Sequence, residues 1–224
     1  MKVPRCPHRW DVSPTKAIEI QRVLAGRVLE VPMGTRPGLI AGADMAISPR
    51  GEHCIAGVVV WDQRTAMVVE QRSAVARLRF PYVPGLLSFR EAPVVVAAIR
   101  KLKCEPDLFM FDAHGLAHPR GIGLASHVGL ILDRPSVGCA KSRLCGTHRE
   151  PRELRGSRAA LRLDGRVIGA VLRTRKGVRP VYVSVGHRIA LDEAVDAVLR
   201  CCRQYRLPEP TRLAHHFVTR LRLQ

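Results

Sequence analysis

The chain has 224 residues, long enough for one well-filled core, and no Ser/Gly/Pro-rich linker or internal repeat divides it. Its 37 lysines and arginines against 19 acidic residues leave a formal charge of +18, beyond what solubility requires, and point to a polyanionic partner; a basic surface that is merely solvated is the other account. Seven cysteines, an odd number without a CxxC pair, argue against a disulfide scaffold or structural zinc and, with no signal peptide in view, suit a reducing cytoplasm; no apolar run approaches the ~20 residues that span a bilayer.

In chain order, Ser13 followed by Ala17, Ile18, Ile20, Val23 and Leu24 predicts a capped amphipathic helix that Gly26 weakens near its end. It belongs to a short N-terminal helical extension, about residues 1–36, of a single domain covering 1–224. Residues 39–47, LIAGADMAI, are the first predicted buried strand, with Asp44 inside it. A carboxylate among so many apolar neighbours calls for a metal or a partner; a bend, or an ion pair with one of the arginines, would also account for it. Residues 53–61 and 66–75 predict two further strands, joined through Asp62, Gln63 and Arg64 as a hairpin. FPYVPG, residues 80–85, is a turn stiffened by two prolines that fixes Tyr82. The ring either stacks or wedges against nucleic acid, or plugs the sheet's edge. Ser88 with Glu91 three residues later is a capping-box pattern for a helix running to about Lys103, with Pro93 in its first turn. A cap would by itself explain Glu91.

Residues 109–146, FMFDAHGLAHPRGIGLASHVGLILDRPSVGCAKSRLCG, pack an acid, histidines, glycines and a lysine between two apolar runs. The run 108–111 ends in Asp112, the way a strand buried on both faces delivers a carboxylate to its carboxyl edge, where ligands collect in open α/β sheets. Gly115, Pro119, Gly121 and Gly123 keep the backbone irregular until Ile122, Ala125, Val128, Gly129 and Leu132 start a helix, which Pro135 ends before a strand at 136–140. Strand, glycine-rich turn, helix and strand make a parallel crossover unit. Neither GxGxxG nor GxxxxGK[ST] spacing is present, so no nucleotide cradle is indicated. Residues 158–163 and 167–173 flank Asp164-Gly165 as a hairpin, and 181–185 is another strand. Asp192 is expected to cap a helix with Ala194, Val195, Val198, Leu199 and Cys202 on one side. Pro208 and Pro210 separate it from a last helix, capped by Thr211, with His215 and His216 in its first turns.

If the first and fourth strands are neighbours, Asp44 and Asp112 face each other across the sheet, and Glu91, on the helix between them in sequence, closes the group from one side. Three hard oxygen donors without thiolate or clustered imidazole suit Mg²⁺ or Mn²⁺, ions that stabilise the attacking and leaving oxygens of an in-line phosphodiester displacement. A basic protein with an acidic metal pocket reads as a nuclease, the cation letting two anionic partners meet.

The segments LIAGADMAI, PYVPGLLSFRE, FMFDAHGLAHPRGIGLASHVG, PSVGCAKSRLCG, VGHR and YRLPEPTR, in this order over nearly the whole chain, resemble the endonuclease V family of inosine-directed nucleases in the ribonuclease H-like superfamily. The resemblance implies an α/β fold with a ribonuclease H-like mixed central sheet, three antiparallel strands then parallel crossovers, flanked by helices. It implies cleavage of the second phosphodiester bond on the 3′ side of deoxyinosine, leaving a 3′-hydroxyl, a 5′-phosphate and the lesion in place. Asp44, Glu91 and Asp112 correspond to the acidic site for Mg²⁺, with Mn²⁺ able to substitute; His215 stands where many members have a histidine near the metals, and Lys141 matches an active-site lysine. Tyr82 falls at the wedge position, and Gly85, Leu87, Gly115, His118 and Gly123 at the lesion pocket and its walls. Where the family usually has glycine, this chain has Ala113, whose methyl group narrows that pocket or requires φ < 0. Deoxyinosine-containing DNA, and inosine-containing RNA as a second candidate, are the expected partners of a monomer that meets no membrane. The rival expectations are another ribonuclease H-like nuclease, cutting junctions or hybrids, and a non-catalytic basic module whose carboxylates are structural.

Overall fold

The computed structural model describes residues 1–49 and 51–223. The elements in chain order are α1 (Pro14–Ala25), β1 (Leu39–Ile47), β2 (His53–Asp62), β3 (Met67–Arg77), α2 (Leu87–Ile99), β4 (Leu108–Phe111), α3 (Leu124–Leu132), β5 (Ser136–Ala140), β6 (Arg158–Leu163), β7 (Arg166–Leu172), β8 (Val181–His187), α4 (Leu191–Cys201) and α5 (Glu209–Leu223). Eight of these strands form one sheet in the order β3-β2-β1-β4-β5-β8-β7-β6. The pairs β1–β4 and β4–β5 are parallel, and antiparallel ribbons extend the sheet on either side.

Burial explains the central strands. β4 and β5 are buried at every residue, so continuous apolar runs form them rather than an alternating pattern. Phe109 and Phe111 enter the layer formed with α2 and α3, where Val94, Val95, Ala125 and Val128 pack. Leu108 and Met110 enter the opposite layer with Ile40, Val183, Val195 and Val198 of α4. α5 lies against β1 so closely that a Cβ at Gly42 would stand 2.0 Å from the Pro210 carbonyl oxygen; glycine is required there for the helix to seat. Side chains of a strand alternate in direction, so Asp44 shares the α5 face with Gly42.

Three expected caps differ. Ser88 does not cap α2, whose N-cap is Leu86; its buried hydroxyl instead meets His127 Nδ1 at 3.0 Å, and the helix stops at Ile99 rather than near Lys103. Pro93 therefore lies inside α2 rather than in its first turn. α4 begins at Leu191 after Ala190, whose N–H donates to Glu193 Oε2 at 3.1 Å, while Asp192 pairs with Arg158. α5 starts at Glu209, and Thr211 within it donates its hydroxyl to the Pro208 carbonyl at 3.0 Å. Ser13 does cap α1, accepting from the Lys16 N–H at 3.2 Å.

Candidate active site

The parallel register pairs Ala43 with Phe111, so Asp44, still within β1, and Asp112, just past the end of β4, are the next residues along two adjacent strands at the carboxyl edge of β4. Glu91 reaches this edge from α2. The same helix carries Leu87 and Ser88 one turn earlier, which places them over a neighbouring cleft. Nδ1 of His215, on α5, lies 2.7 Å from Asp44 Oδ2, which accepts from it when Nδ1 carries the proton; the partner of Asp44 is thus a histidine and not an arginine. Lys141, just past β5, forms an ion pair with Asp112. Arg206 holds that turn in place, donating to the carbonyls of Lys141 at 2.6 Å and Pro180 at 2.8 Å.

The carboxylates act on one another. Burial raises Asp44 above the ordinary range; the His215 hydrogen bond opposes this, and the Asp112 charge adds to it. Burial also pushes Glu91 up to about 7, helped by the charges of Asp44 and Asp112 and opposed by Arg90. Glu91 forms no ion pair among the described residues. Among those residues, no three His, Cys, Asp and Glu side chains are gathered tightly enough about one point to hold a metal ion.

Beside this edge opens a cleft of about 170 Å³ whose walls include Tyr82, Gly85, Leu87, Ala113, His118 and Gly123. Tyr82 is 71% exposed and does not plug the sheet's edge. Gly115, expected in the same wall, stands behind it: a Cβ there would lie 2.0 Å from the Val185 carbonyl oxygen, and its N–H donates to Ser184 Oγ at 2.9 Å. Its glycine lets the loop close onto β8. Ala113 is buried and is not among the residues of positive φ, so its methyl group narrows the cleft without backbone strain.

Several members of this cleft were not singled out in the sequence. His114 lines it, with Nε2 3.0 Å from the Ser142 carbonyl, and burial lowers its proton affinity despite Asp112 nearby. Leu144 closes the rim. Gln21 of α1 also lines it, donating to the Gly85 carbonyl at 3.1 Å and the Ile122 carbonyl at 3.3 Å. That Gly85 oxygen also accepts from Arg120 at 2.6 Å and meets His118 Nε2 at 3.0 Å. Burial and the Arg120 charge bring His118 down to about 4. One carbonyl thus ties the double-proline turn, the loop after β4 and the N-terminal helix into a single wall.

Carboxylates on adjacent parallel strands, paired with a lysine and a histidine beside a small neutral cleft, fit a phosphodiester-handling enzyme of the α/β class. Comparison with known proteins narrows the class. The Endonuclease V family model matches residues 22–216. A curated endonuclease V of Myxococcus xanthus is 50% identical, covering 96% of this chain and 92% of that protein. The crystal structure of endonuclease V from Streptomyces avermitilis superposes with a TM-score of 0.90 at 41% identity, covering 98% of this chain and 97% of the other. That of Ciona intestinalis endonuclease V, in complex with a 24mer DNA containing an inosine followed by a ribo-adenosine, shares the fold with a TM-score of 0.82 at 22% identity, covering 92% of this chain and 96% of that one. The chain belongs to the endonuclease V family and is a nuclease. No helix among the described residues is long and apolar enough to cross a membrane.

Proposed function

We propose that this nuclease acts in nucleic-acid repair, cutting the second phosphodiester bond 3′ to deoxyinosine to leave a 3′-hydroxyl and a 5′-phosphate, with Mg²⁺, or Mn²⁺ in its place, as cofactor. The observation that carries the reading is the adjacency of two differently built surfaces: a small neutral cleft sized for part of a planar base, and a carboxylate edge one helical turn away along α2. The Ciona relative's complex with inosine-containing DNA supports the choice of lesion.

The chemistry of the donors suits the cofactor, although their spacing in this structure does not close around one ion. Asp44, Glu91 and Asp112 offer only oxygen, and Asp44 and Glu91 have their proton affinity raised by burial and further by neighbouring like charge, the part a hard divalent cation would relieve. Asp112, now paired with Lys141, and Asp44, now bonded to His215, would share their oxygens with a cation held there. When bound it supplies charge stabilisation for the attacking and leaving oxygens.

The chain's own residues do the rest. Lys141, released from Asp112, is placed to offset charge on the scissile phosphate. The hydrogen bond between Nδ1 and Asp44 turns Nε2 of His215 away from the carboxylate, where it is placed to exchange a proton with water. Tyr82 fills the stack left by an extruded base. Hypoxanthine pairs poorly, which lowers the few kcal/mol that extrusion costs, and the cleft then reads the base through the main chain around Gly85 and Gly123.

The test is cleavage of end-labelled DNA carrying one deoxyinosine, with and without Mg²⁺, with an inosine-containing RNA strand alongside. A single cut one nucleotide beyond the lesion's 3′ neighbour bond, dependent on Mg²⁺, is expected; cutting that ignores inosine removes the lesion reading.

A further inference from the structure

The double-proline turn has a second side. Residues 82–85 border the cleft, whereas Arg77, Arg79 and Phe80, just before them, border a separate recess of about 460 Å³. Arg9 and Arg90 complete its basic lining, against a single acid, Asp11, and Trp10 with Phe80 supplies an apolar wall. The volume lies within the ~300–1,000 Å³ typical of small-ligand sites.

The arginines differ in how they are engaged. Arg90 is held by the turn: its Nη1 donates to the Phe80 carbonyl at 3.1 Å, and its guanidinium stands 6.0 Å from the centre of the Tyr82 ring. Arg9, Arg77 and Arg79 are exposed and enter no ion pair among the described residues. Unpaired guanidinium groups converging on a concavity are suited to phosphate, which they bind in a fork. Trp10 is packed edge-on to Phe89, with ring centres 5.7 Å apart, and against His127 at 5.1 Å, so its orientation is fixed before any ligand arrives. His8 stands against the same ring, with centres 4.5 Å apart, and a fixed, half-buried indole beside free guanidinium groups has the chemistry to stack on a base with whatever ring surface the recess leaves open.

We infer that this recess binds a nucleotide of the strand opposite the lesion, its phosphate on Arg77 and Arg79 and its base against Trp10. The inference rests on the proposed function for its geometry: with Tyr82 in the stack and the damaged strand drawn toward the cleft and carboxylates, the unbroken strand passes on the other side of the same turn. A nucleotide of the damaged strand, further 5′, would satisfy the same groups, and comparison of duplex with single strand separates the two sources.

The experiment uses the full chain with Arg77→Ala and Arg79→Ala combined. Affinity for an undamaged duplex and for an undamaged single strand of equal length is measured by fluorescence anisotropy in EDTA, over a range of salt. For the parent, about six neutralised phosphates give a log–log salt slope near −5 on duplex. The variant is expected to bind duplex about tenfold more weakly, with a slope shallower by about 1.8, since each lost phosphate contact removes about 0.9. Its loss on the single strand should stay under about threefold. Equal losses on both substrates overturn the opposite-strand assignment, and no loss on either overturns the site. Trp10 gives an independent readout, because the only other tryptophan, Trp61, is 2% exposed. Duplex should quench the parent's fluorescence and leave Trp10→Phe unquenched, and a parent that is not quenched overturns the base platform. Deoxyinosine cleavage by the parent is scored separately: a parent that cuts no inosine strand while the duplex loss persists overturns the cleavage reading alone.

Discussion

At the acidic edge, the charges of Asp44 and Asp112 add to burial in pushing Glu91 up to about 7, whereas a few residues along the same loop burial holds His114 below its ordinary range and, with Arg120, brings His118 down to about 4. One surface concentrates like charge; the other holds the proton affinity of its histidines down. Chemistry at a phosphodiester needs groups whose charge responds to a cation and a phosphate. Reading a neutral base needs a wall that stays fixed, and the Gly85 carbonyl, bonded by Gln21 and Arg120 and met by His118, fixes the wall without itself having an acceptor site to spare. The contrast predicts that damage to the edge removes turnover whatever the substrate, while damage to the cleft shows only where a base must leave a stack.

The largest effect is expected from Asp112→Asn, which keeps shape but removes an anionic donor and the partner of Lys141. Turnover in Mg²⁺ should fall by about 1,000-fold or more, with an unchanged melting profile and unchanged binding of undamaged DNA. A variant that cuts at the parent rate would remove the acidic edge from the mechanism. Next comes Tyr82→Ala. Base–aromatic stacking is worth about 1–3 kcal/mol, so cleavage of a deoxyinosine duplex should drop by about 5- to 150-fold, and that of the single strand by much less. Equal losses on the two substrates would mean that Tyr82 stabilises its turn and does not act as a wedge.

The two surfaces also oppose one another in acid–base linkage. Glu91 titrates near 7 in the fold against 4.5 ordinarily, so the native state binds more protons between those values. Its contribution to stability is complete below about 4.5 and is lost as pH rises through 7. His118 titrates near 4 against 6.5, so there the unfolded state binds more protons. Its contribution is complete above 6.5 and is lost as pH falls through 4. Each slope is at most about 1.4 kcal/mol per pH unit. Denaturation midpoints measured in EDTA from pH 4 to 8 should therefore rise more steeply with pH in Glu91→Gln than in the parent, and less steeply in His118→Gln. Changes of the same sign in both variants would contradict the assignment.

How much of this could be read from the chain follows from where each residue's partners lie. The β4 and β5 boundaries came from unbroken apolar runs, because strands buried on both faces announce themselves locally. Asp44 and Asp112 became a pair once those strands were taken as neighbours, which the parallel register bears out. The caps failed for the converse reason. Ser88 has a cap's sequence context, but His127 of α3 takes its hydroxyl; Asp192 loses to Glu193, whose carboxylate serves the N–H groups of both Ala190 and Met33. Gln21 and Arg120 escaped notice because they meet across 99 positions, in a contact that no local pattern encodes. Gly115 was placed in the cleft by the family resemblance, while the close approach it permits is to β8.

The smallest expected effect concerns the methyl group of Ala113. Glycine at this position would widen a cleft of about 170 Å³ by roughly one methyl group. Two terms act on the variant. Removing the side chain frees the unfolded backbone and costs about 0.4–1 kcal/mol of stability, and that cost is not recovered by relief of strain, because Ala113 does not occupy the left-handed region. The wider cleft admits the base more easily but grips it less, so the two consequences for binding oppose each other. Ala113→Gly is therefore expected to lower the melting temperature slightly and to change the single-turnover rate and half-saturation for a deoxyinosine strand by less than about threefold. The surrounding wall, held by the Gly85 carbonyl rather than by residue 113, keeps its shape in either case. A tenfold or greater gain in cleavage on inosine, with no gain on undamaged strands, would show that the methyl group obstructs the base and that recognition in this chain is limited at residue 113.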